Sequence, residues 1–146
     1  MKLKIAWIGK TKEPAIQALT DEYLKRLAHY SDVDANALKD EAALQKLSAK
    51  DARPRSTLVL LDSKGKQFSS EELAGFLNDH QERSSLPLLF AVGPASGFSA
   101  EIRAAATHVI SLSKMTLPHE LARIILLEQL YRAFTILKGH PYHLGH

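Results

Sequence analysis

Two short stretches of the sequence are almost entirely apolar, and they constrain the fold more than any other feature. Residues 57–61 read TLVLL and end at Asp62, and residues 86–92 read LPLLFAV with one proline near the start. Runs of this length are typical of strands that are covered on both faces, as in parallel sheets flanked by helices. We therefore expect both runs to lie in the centre of a parallel sheet.

Further strand-like and helical patterns alternate around these two runs. The predicted strands are residues 2–8, 31–38, 57–61, 86–92 and 109–112. The predicted helices are residues 14–30, 40–52, 69–82, 99–106 and 118–137. This succession contains no linker and no internal repeat, and it predicts one α/β domain over residues 1–146, with a mainly parallel sheet flanked by helices. Residues 62–66 are predicted to form a turn, and Ser69 with Glu72 resembles a capping box.

Ligands of such sheets bind beyond the carboxyl ends of the strands, so three loops are candidate sites. One follows Asp62, and the others span residues 93–98 and 111–118. The GPASGF loop at 93–98 lacks the spacing of a dinucleotide-binding or Walker motif. Its sequence is compatible with a phosphate or nucleoside site and also with a plain structural turn in which Gly97 has a positive φ. Loop 111–118 is longer than most βα connections, so a ligand or an unusual chain path is needed to order it.

The last predicted helix is apolar on more sides than one core face requires. A polar strip of Glu128, Arg132 and Thr135 interrupts an otherwise apolar surface. The apolar residues are Leu121, Ile124, Leu126, Leu127, Leu130, Phe134 and Leu137. In a small domain the second apolar surface indicates a partner subunit, so we predict a homodimer. Burial of the Arg132 charge is costly unless the charge is paired. Either Glu128, one helical turn earlier, neutralises Arg132, or Arg132 binds an anionic ligand, and the sequence leaves both alternatives open.

The composition restricts the chemistry without choosing a partner. The chain has no cysteine, which excludes thiolate metal sites and a cysteine nucleophile. Its formal net charge of +3 permits a nucleic-acid partner but does not require one. His140, His143 and His146 could in principle hold a metal ion, but their position in a terminal tail far from carboxylates argues against this. We predict no metal.

The most apolar segment, residues 121–137, includes Arg123, Glu128 and Arg132 and is too short to span a bilayer. The first ten residues have a basic start but no long apolar core or small-residue cleavage site, so they read as a strand and not as a signal peptide. These features predict a cytoplasmic protein with no membrane partner.

The segment 111–143 contains three short motifs, TLPH, EQLYRA and HPYH, in this order. Together they resemble the C-terminal signature of the ribosomal large-subunit pseudouridine N3-methyltransferases, a branch of the SPOUT methyltransferases. The Lys-rich first strand, the LLD followed by GK, and the VG…GF loop lie at matching places. The resemblance therefore covers the whole chain, although the match is loose over residues 31–55.

The resemblance implies a SPOUT-type α/β fold with a deep C-terminal trefoil knot, an exception to the rule that chains do not thread loops. Loop 111–118 would belong to the knot, and S-adenosylmethionine would bind there. The implied cofactor-binding residues are Leu61, Gly93, Pro94, Gly97, Ser113, Lys114, Met115, Thr116, Leu117 and Pro118. Pro94 stands where the family usually has a second glycine and Ser96 where it has an acid, so a contact through the amide of residue 94 is lost.

The resemblance also implies a reaction. It is the methylation of N3 of a pseudouridine in 23S rRNA of the large subunit, within the assembled ribosome, by a homodimer whose second subunit helps to complete the RNA site. We expect Arg132, Tyr142 and His143 to be catalytic: Arg132 and the tail hold the base, and His143 or Tyr142 assists loss of the N3 proton. The alternative is a non-enzymatic, ribosome- or RNA-associated dimer with impaired cofactor binding, which Pro94 and Ser96 favour.

Overall fold

Strands and helices alternate along the whole described chain. The computed structural model of the protein describes residues 1–145. The elements are β1 Lys2–Ile8, α1 Pro14–Leu27, β2 Asp32–Leu38, α2 Glu41–Ser48, β3 Thr57–Gln67, α3 Ser70–Arg83, β4 Leu88–Val92, α4 Ala100–Ala105, β5 His108–Ser111 and α5 His119–Lys138. A short 3-10 turn, His143–Gly145, follows α5. Every predicted strand and helix is present in the predicted order.

The strands form one parallel sheet in the order β2-β1-β4-β3-β5. The two apolar runs are neighbours in its centre, where Leu61 pairs with Val92. On the other side of β4, Trp7 of β1 also pairs with Val92. The carboxyl ends of β1, β4 and β3 therefore meet at one edge of the sheet. The prediction of a mainly parallel sheet flanked by helices is confirmed.

The helices cover both faces of the sheet, which explains why its central strands are apolar throughout. Helices α1, α3 and α5 pack on the face that includes Leu3, Ile5 and Phe90. On the opposite face, α2 and α4 pack on a smaller cluster that includes Leu60 and Leu89. Alternate residues of β3 and β4 point to opposite faces, so each strand needs apolar residues at consecutive positions.

Helix α5 buries most of its apolar residues in the same molecule. Leu126, Leu127, Leu130 and Phe134 are buried, whereas Leu121 is 47% exposed. Within the predicted polar strip, Thr135 is fully buried, and its hydroxyl donates a hydrogen bond of 2.6 Å to the Arg132 carbonyl. A threonine can occupy such a place because its hydroxyl is satisfied by the backbone of its own helix.

Helix starts agree with the sequence in two cases and differ in a third. Ser69 and Glu72 form the predicted capping box of α3, and Ser99 caps α4. Helix α5 begins at His119 after Pro118, which occupies the N-cap position and provides no side-chain cap. The predicted helix start at residue 118 is therefore one residue too early. No helix among residues 1–145 is long and apolar enough to cross a membrane.

The turn predicted at residues 62–66 is wrong, because β3 continues to Gln67. Leu61 and Lys66 both pair with Ile110 of β5, so the four residues between them bulge out of the ladder. Gly65 lies against the β5 backbone: a Cβ there would be 2.7 Å from the carbonyl carbon and oxygen of Val109. Only glycine fits this close approach of two backbones.

The substitution Gly65→Ala tests this contact. We expect it to lower the free energy of unfolding by about 3 kcal/mol, because the added methyl meets backbone atoms that cannot move aside. Denaturant unfolding measures the loss. The matched control is Gly75→Ala on α3, where a Cβ meets nothing within 4 Å and should stabilise the helix by about 1 kcal/mol. Equal effects of the two substitutions would contradict the proposed role of the close approach.

Candidate active site

An open cleft lies at the carboxyl edge of the sheet, where the chain leaves β3, β4 and β5. The space between its walls, including the part open to solvent, measures about 680 Å³. Its lining includes eight of the ten residues that sequence analysis assigned to a cofactor: Leu61, Gly93, Pro94, Gly97, Ser113, Met115, Thr116 and Leu117. Lys114 and Pro118 belong to the same loop but do not line the cleft.

The loop at residues 93–98 is a tight turn that forms one wall of the cleft. The Gly97 amide donates to the Pro94 carbonyl at 2.9 Å, and Gly97 has a φ of 81°, as its place in the sequence predicted. Gly93 is needed for a different reason: a Cβ there would lie 3.0 Å from the Phe98 ring. The turn uses the carbonyl of Pro94, so the missing amide of that residue costs the turn nothing.

Asp62 is a cleft residue that sequence analysis did not assign to the site. Its side chain is only 8% exposed and forms an ion pair with Arg103 of α4. The other carboxylate oxygen accepts a hydrogen bond of 2.9 Å from the Lys64 amide. Asp62 therefore connects the β3 bulge to α4, the helix that follows loop 93–98. In the sequence, the feature that could have indicated this role is an acidic residue directly after the apolar run at residues 57–61.

A second carboxylate, outside the cleft, contacts the wall formed by loop 93–98. Glu41, the first residue of α2, accepts a hydrogen bond of 2.8 Å from the Ser99 amide and a further one from the Ser99 hydroxyl. Together with the Asp62–Arg103 pair, this contact fixes the start of α4. The wall is thus positioned by contacts within the protein.

Two serine contacts order the start of loop 112–118, which forms the opposite wall. Ser111 donates to the Ser113 carbonyl at 2.9 Å, and the Ser113 hydroxyl accepts from the Met115 amide at 3.0 Å. Met115 remains 76% exposed at the cleft.

The three residues predicted to be catalytic lie together around Glu128. Arg132 donates from Nη2 to Glu128 at 2.8 Å, and the Tyr142 hydroxyl donates to the same carboxylate oxygen at 2.8 Å. The Arg132 guanidinium also contacts Nδ1 of His143 at 3.0 Å and lies over the Tyr142 ring. Of the two open readings of Arg132, the pairing with Glu128 is observed.

The hydrogen bonds of this group indicate which ring nitrogen of a neutral His143 carries the proton. Arginine can only donate, so Nδ1 of His143 accepts, and a neutral ring carries its proton on Nε2. Nε2 contacts Glu71 of α3 at 2.7 Å, as a donor should. Glu71 has a lowered pKa because its own backbone N–H and the hydrogen bond to the His143 ring both favour its charged form. Glu71 and Glu128 are site residues that the sequence did not assign.

The Tyr142 hydroxyl is a hydrogen-bond donor in this arrangement. Burial raises the pKa of its phenol, and the hydrogen bond to Glu128 raises it further. The same carboxylate raises the pKa of Arg132. At neutral pH both side chains therefore present protons, and His143 is the member of the three that holds an acceptor nitrogen.

Arg123 of α5 is buried beside the cleft without a charged partner. It is 1% exposed, and its guanidinium lies 4.1 Å from the centre of the Trp7 ring. Nη1 donates to Thr11 at 2.7 Å, but Nε has no partner, and Arg123 forms no ion pair within the described residues. Desolvation lowers its pKa, and the charge of Glu120 opposes the shift. From the sequence, Arg123 could be recognised only as a charged residue within a mostly apolar helix.

The terminal histidines are engaged in other contacts. His140 accepts a hydrogen bond from the Tyr142 amide at 3.1 Å, and His143 contacts Arg132 and Glu71. No group of three or more histidines, aspartates or glutamates within residues 1–145 is arranged to hold a metal ion. His146, the third histidine of the metal hypothesis, lies outside the described residues.

The fold and cleft define an α/β protein with a parallel sheet and an open cleft at its carboxyl edge, the place where such sheets bind ligands. A sequence model of the family described as "Predicted SPOUT methyltransferase" matches residues 1–143, and the chain belongs to this family. A protein of Koribacter versatilis, named ribosomal RNA large subunit methyltransferase H, is 56% identical over 146 residues, the full length of both chains. Relatives of the same name from Geotalea daltonii and Geobacter metallireducens are 44% and 42% identical, each over 98% of this chain and 99% of the relative.

The substitution Arg123→Met tests whether the buried cation serves stability. We expect the free energy of unfolding to stay within about 1 kcal/mol of the wild type or to rise, because an apolar side chain of similar length avoids the desolvation cost. Thermal and denaturant unfolding measure this. Arg123→Ala, which also removes the packing on Trp7, should cost about 2–4 kcal/mol. A loss of that size in Arg123→Met would contradict our account of the cation.

Proposed function

We propose that this protein uses S-adenosylmethionine to methylate N3 of a pseudouridine in 23S rRNA, acting as a homodimer on the assembled ribosome. The observation that carries the proposal is the full-length, 56% identity to a protein named ribosomal RNA large subunit methyltransferase H. The clustering of the predicted cofactor residues in one cleft supports it. So does the grouping of Arg132, Tyr142 and His143.

The cleft fits the proposed cofactor in its chemistry. Its walls combine apolar side chains with backbone and serine polar groups, as is typical of small-molecule sites. Asp62 is the one carboxylate among the lining residues, and Arg103 neutralises it. The proposed contacts are the ten residues of the prediction, with Lys114 and Pro118 acting from the loop beside the cleft. When bound, the cofactor supplies an electrophilic methyl group.

We place the trefoil knot where the resemblance implies it, around loop 111–118 and the start of α5. Near this place the chain leaves the β3–β5 ladder at Leu61, passes with Gly65 against the Val109–Ile110 backbone, and rejoins β5 at Lys66.

The proposed acceptor nitrogen is a weakly acidic imide, which must lose its proton before it can attack. In the described arrangement the acceptor nitrogen of His143 is occupied by Arg132. When Arg132 turns to a carbonyl oxygen of the base, it stabilises the developing anion and frees that nitrogen to take the proton. Tyr142, held as a donor by its raised pKa, orients the network through Glu128.

Exposed apolar side chains support the proposed homodimer. Leu19 of α1 and Leu121 of α5 are 43% and 47% exposed, and these two helices pack side by side. Met115 adds a third exposed apolar side chain close to the start of α5. A second copy that covers this surface would also lie beside the cleft, as a shared RNA site requires.

Cofactor binding is tested by the melting temperature. At a hundredfold excess over its Kd, S-adenosylmethionine should raise the melting temperature of the wild type by about 5–10 °C. Gly93→Val should remove most of the shift, because its side chain forces Phe98 or itself into the cleft. Gly75→Ala, on a distant helix face, should keep the shift. A wild type without any shift would favour the non-enzymatic alternative.

The reaction is tested by mass spectrometry of large-subunit rRNA. Cells that lack this gene should lose one methyl group from a pseudouridine, and the wild-type gene should restore it. A variant that lacks Pro141 to His146 should not restore it, because it loses Tyr142 and His143, yet its purified form should bind S-adenosylmethionine almost normally. Loss of cofactor binding in this variant would contradict the division between cleft and tail.

A further inference from the structure

Glu71 connects the start of α3 to the C-terminal tail. It is the second residue of α3, and its Oε1 lies 2.7 Å from Nε2 of His143. The two residues are 72 positions apart in the sequence, so only the fold brings them together. The residues that the resemblance implies for cofactor binding and catalysis do not include Glu71, and its role is therefore open.

The first turn of α3, which carries Glu71, is fixed by several hydrogen bonds. The Ser69 hydroxyl accepts from the Glu72 amide at 3.0 Å, and the Glu72 carboxylate accepts from the Ser69 amide at 2.8 Å. The Ser70 hydroxyl donates to Oε1 of Gln129 on α5 at 2.6 Å. The turn is thus closed on itself and joined to α5, so Glu71 reaches the tail from a fixed backbone.

The carboxylate of Glu71 is charged at neutral pH. Its pKa is lowered first by its own backbone N–H and then by the hydrogen bond to the His143 ring. The Glu71 side chain is 64% exposed, however, and that of His143 is 26% exposed. Because water screens a charge at such a place, the contact acts through the direction of its hydrogen bond more than through its charge.

Each ring nitrogen of His143 has a partner of a different kind. Arg132 contacts Nδ1 at 3.0 Å, and because an arginine can only donate, Nδ1 holds the lone pair. The charged carboxylate of Glu71 can only accept, so Nε2 holds the proton. The other tautomer would place a lone pair against the carboxylate and an N–H against the guanidinium. Both partners therefore select the same tautomer.

The two partners are not equivalent during the proposed reaction. Arg132 turns from the ring to the RNA base, and Nδ1 of His143 then loses the donor that selected its tautomer. The contact between Glu71 and Nε2 remains, because the first turn of α3 takes no part in this movement. Without that contact, the free ring would rotate and exchange its proton between the two nitrogens, and Nδ1 would not be held as an acceptor.

We propose that Glu71 is a positioning residue for the proton transfer: it holds the His143 ring with the proton on Nε2 and the lone pair on Nδ1. The inference rests on the proposed function, in which His143 takes the proton of N3. Glu71 touches neither the base nor the cofactor in this role and acts through the ring. A carboxylate on the remote nitrogen of an imidazole base fixes its orientation and stabilises the imidazolium that forms.

The balance of protons and electrons in this step is complete. N3 of the base gives its proton to Nδ1 of His143, and the electron pair of N3 forms the bond to the methyl carbon. The bond from that carbon to sulfur breaks, and its electron pair stays on the sulfur of the leaving thioether. The proton on Nε2 stays in place, where the Glu71 carboxylate faces the positive charge that the ring has acquired.

Three variants test this role with ribosomes as substrate. Glu71→Ala should lower kcat by about 30-fold, with KM and the affinity for S-adenosylmethionine unchanged, because the ring loses its orientation while Tyr142 still holds the tail to Glu128. Glu71→Gln keeps an acceptor oxygen and loses only a screened charge, so kcat should fall by about threefold. The matched control is Asp79→Ala, which removes an exposed carboxylate about two turns further along α3 and should behave as the wild type.

Nitrogen-15 NMR of the histidine rings tests the tautomer without any reaction. Arg132→Met removes the donor to Nδ1, as the base is proposed to do, and the His143 ring should still carry its proton on Nε2 alone. Addition of Glu71→Ala to Arg132→Met should produce a mixture of the two tautomers. His143→Gln identifies the signals, because it removes them from the spectrum.

The outcomes separate the positioning role from the alternatives. Wild-type kcat in Glu71→Ala would overturn the role and leave the proposed function intact. A mixture of tautomers in Arg132→Met alone would also overturn it, because Glu71 would then not hold the ring. A higher KM for ribosomes in Glu71→Ala at unchanged kcat would mean that the contact only anchors the tail, which contradicts the inference. Failure of the wild type to methylate ribosomes would refute the proposed function and this inference with it.

Discussion

The contact of Gly65 with the backbone of Val109 and Ile110 is the constraint on which the cleft depends. Asp62 to Gly65 leave the ladder between Leu61 and Lys66, and Gly65 passes so close to β5 that a side chain there would meet the β5 backbone. The bulge brings the Asp62 carboxylate to the cleft, where Arg103 of α4 binds it. A single position without a side chain thus determines the spacing between two walls contributed by distant parts of the chain.

Two arginines of α5 illustrate opposite solutions to the cost of burying a charge. Arg132 is mostly buried, with Glu128 one helical turn before it, so the charge is compensated locally and can be released to a ligand. Arg123 is more deeply buried and has only the Trp7 ring and two threonine hydroxyls. Its guanidinium connects α5 to Thr11, in the segment that follows β1. An arrangement that is costly for stability but fixes the edge of a site indicates a contribution to function.

The sequence predicts those features that depend on neighbouring residues. Apolar runs located the central strands, the Ser69–Glu72 spacing gave the capping box, and the glycine at position 97 indicated positive φ. Contacts between distant residues were not predictable in this way. Asp62 to Lys66 has the composition of a turn, and only the pairing with Ile110, more than forty positions later, makes it strand. Likewise Glu71 becomes a site residue only because α3 lies beside the C-terminal tail.

Under the proposed function, the group around Glu128 would supply both the residue that holds the RNA base and the residue that takes its proton. In the described arrangement every polar atom that could act on a substrate already has a partner: Arg132 has Glu128 and His143, and Nε2 of His143 has Glu71. A base that displaced the Arg132–His143 contact would receive the cation and expose the acceptor nitrogen in one movement. Proton loss would then be coupled to correct seating of the base, because neither group is available until the other is engaged. Because the chain has no cysteine, the proposed reaction cannot pass through a cysteine adduct, and the proposal is a direct methyl transfer.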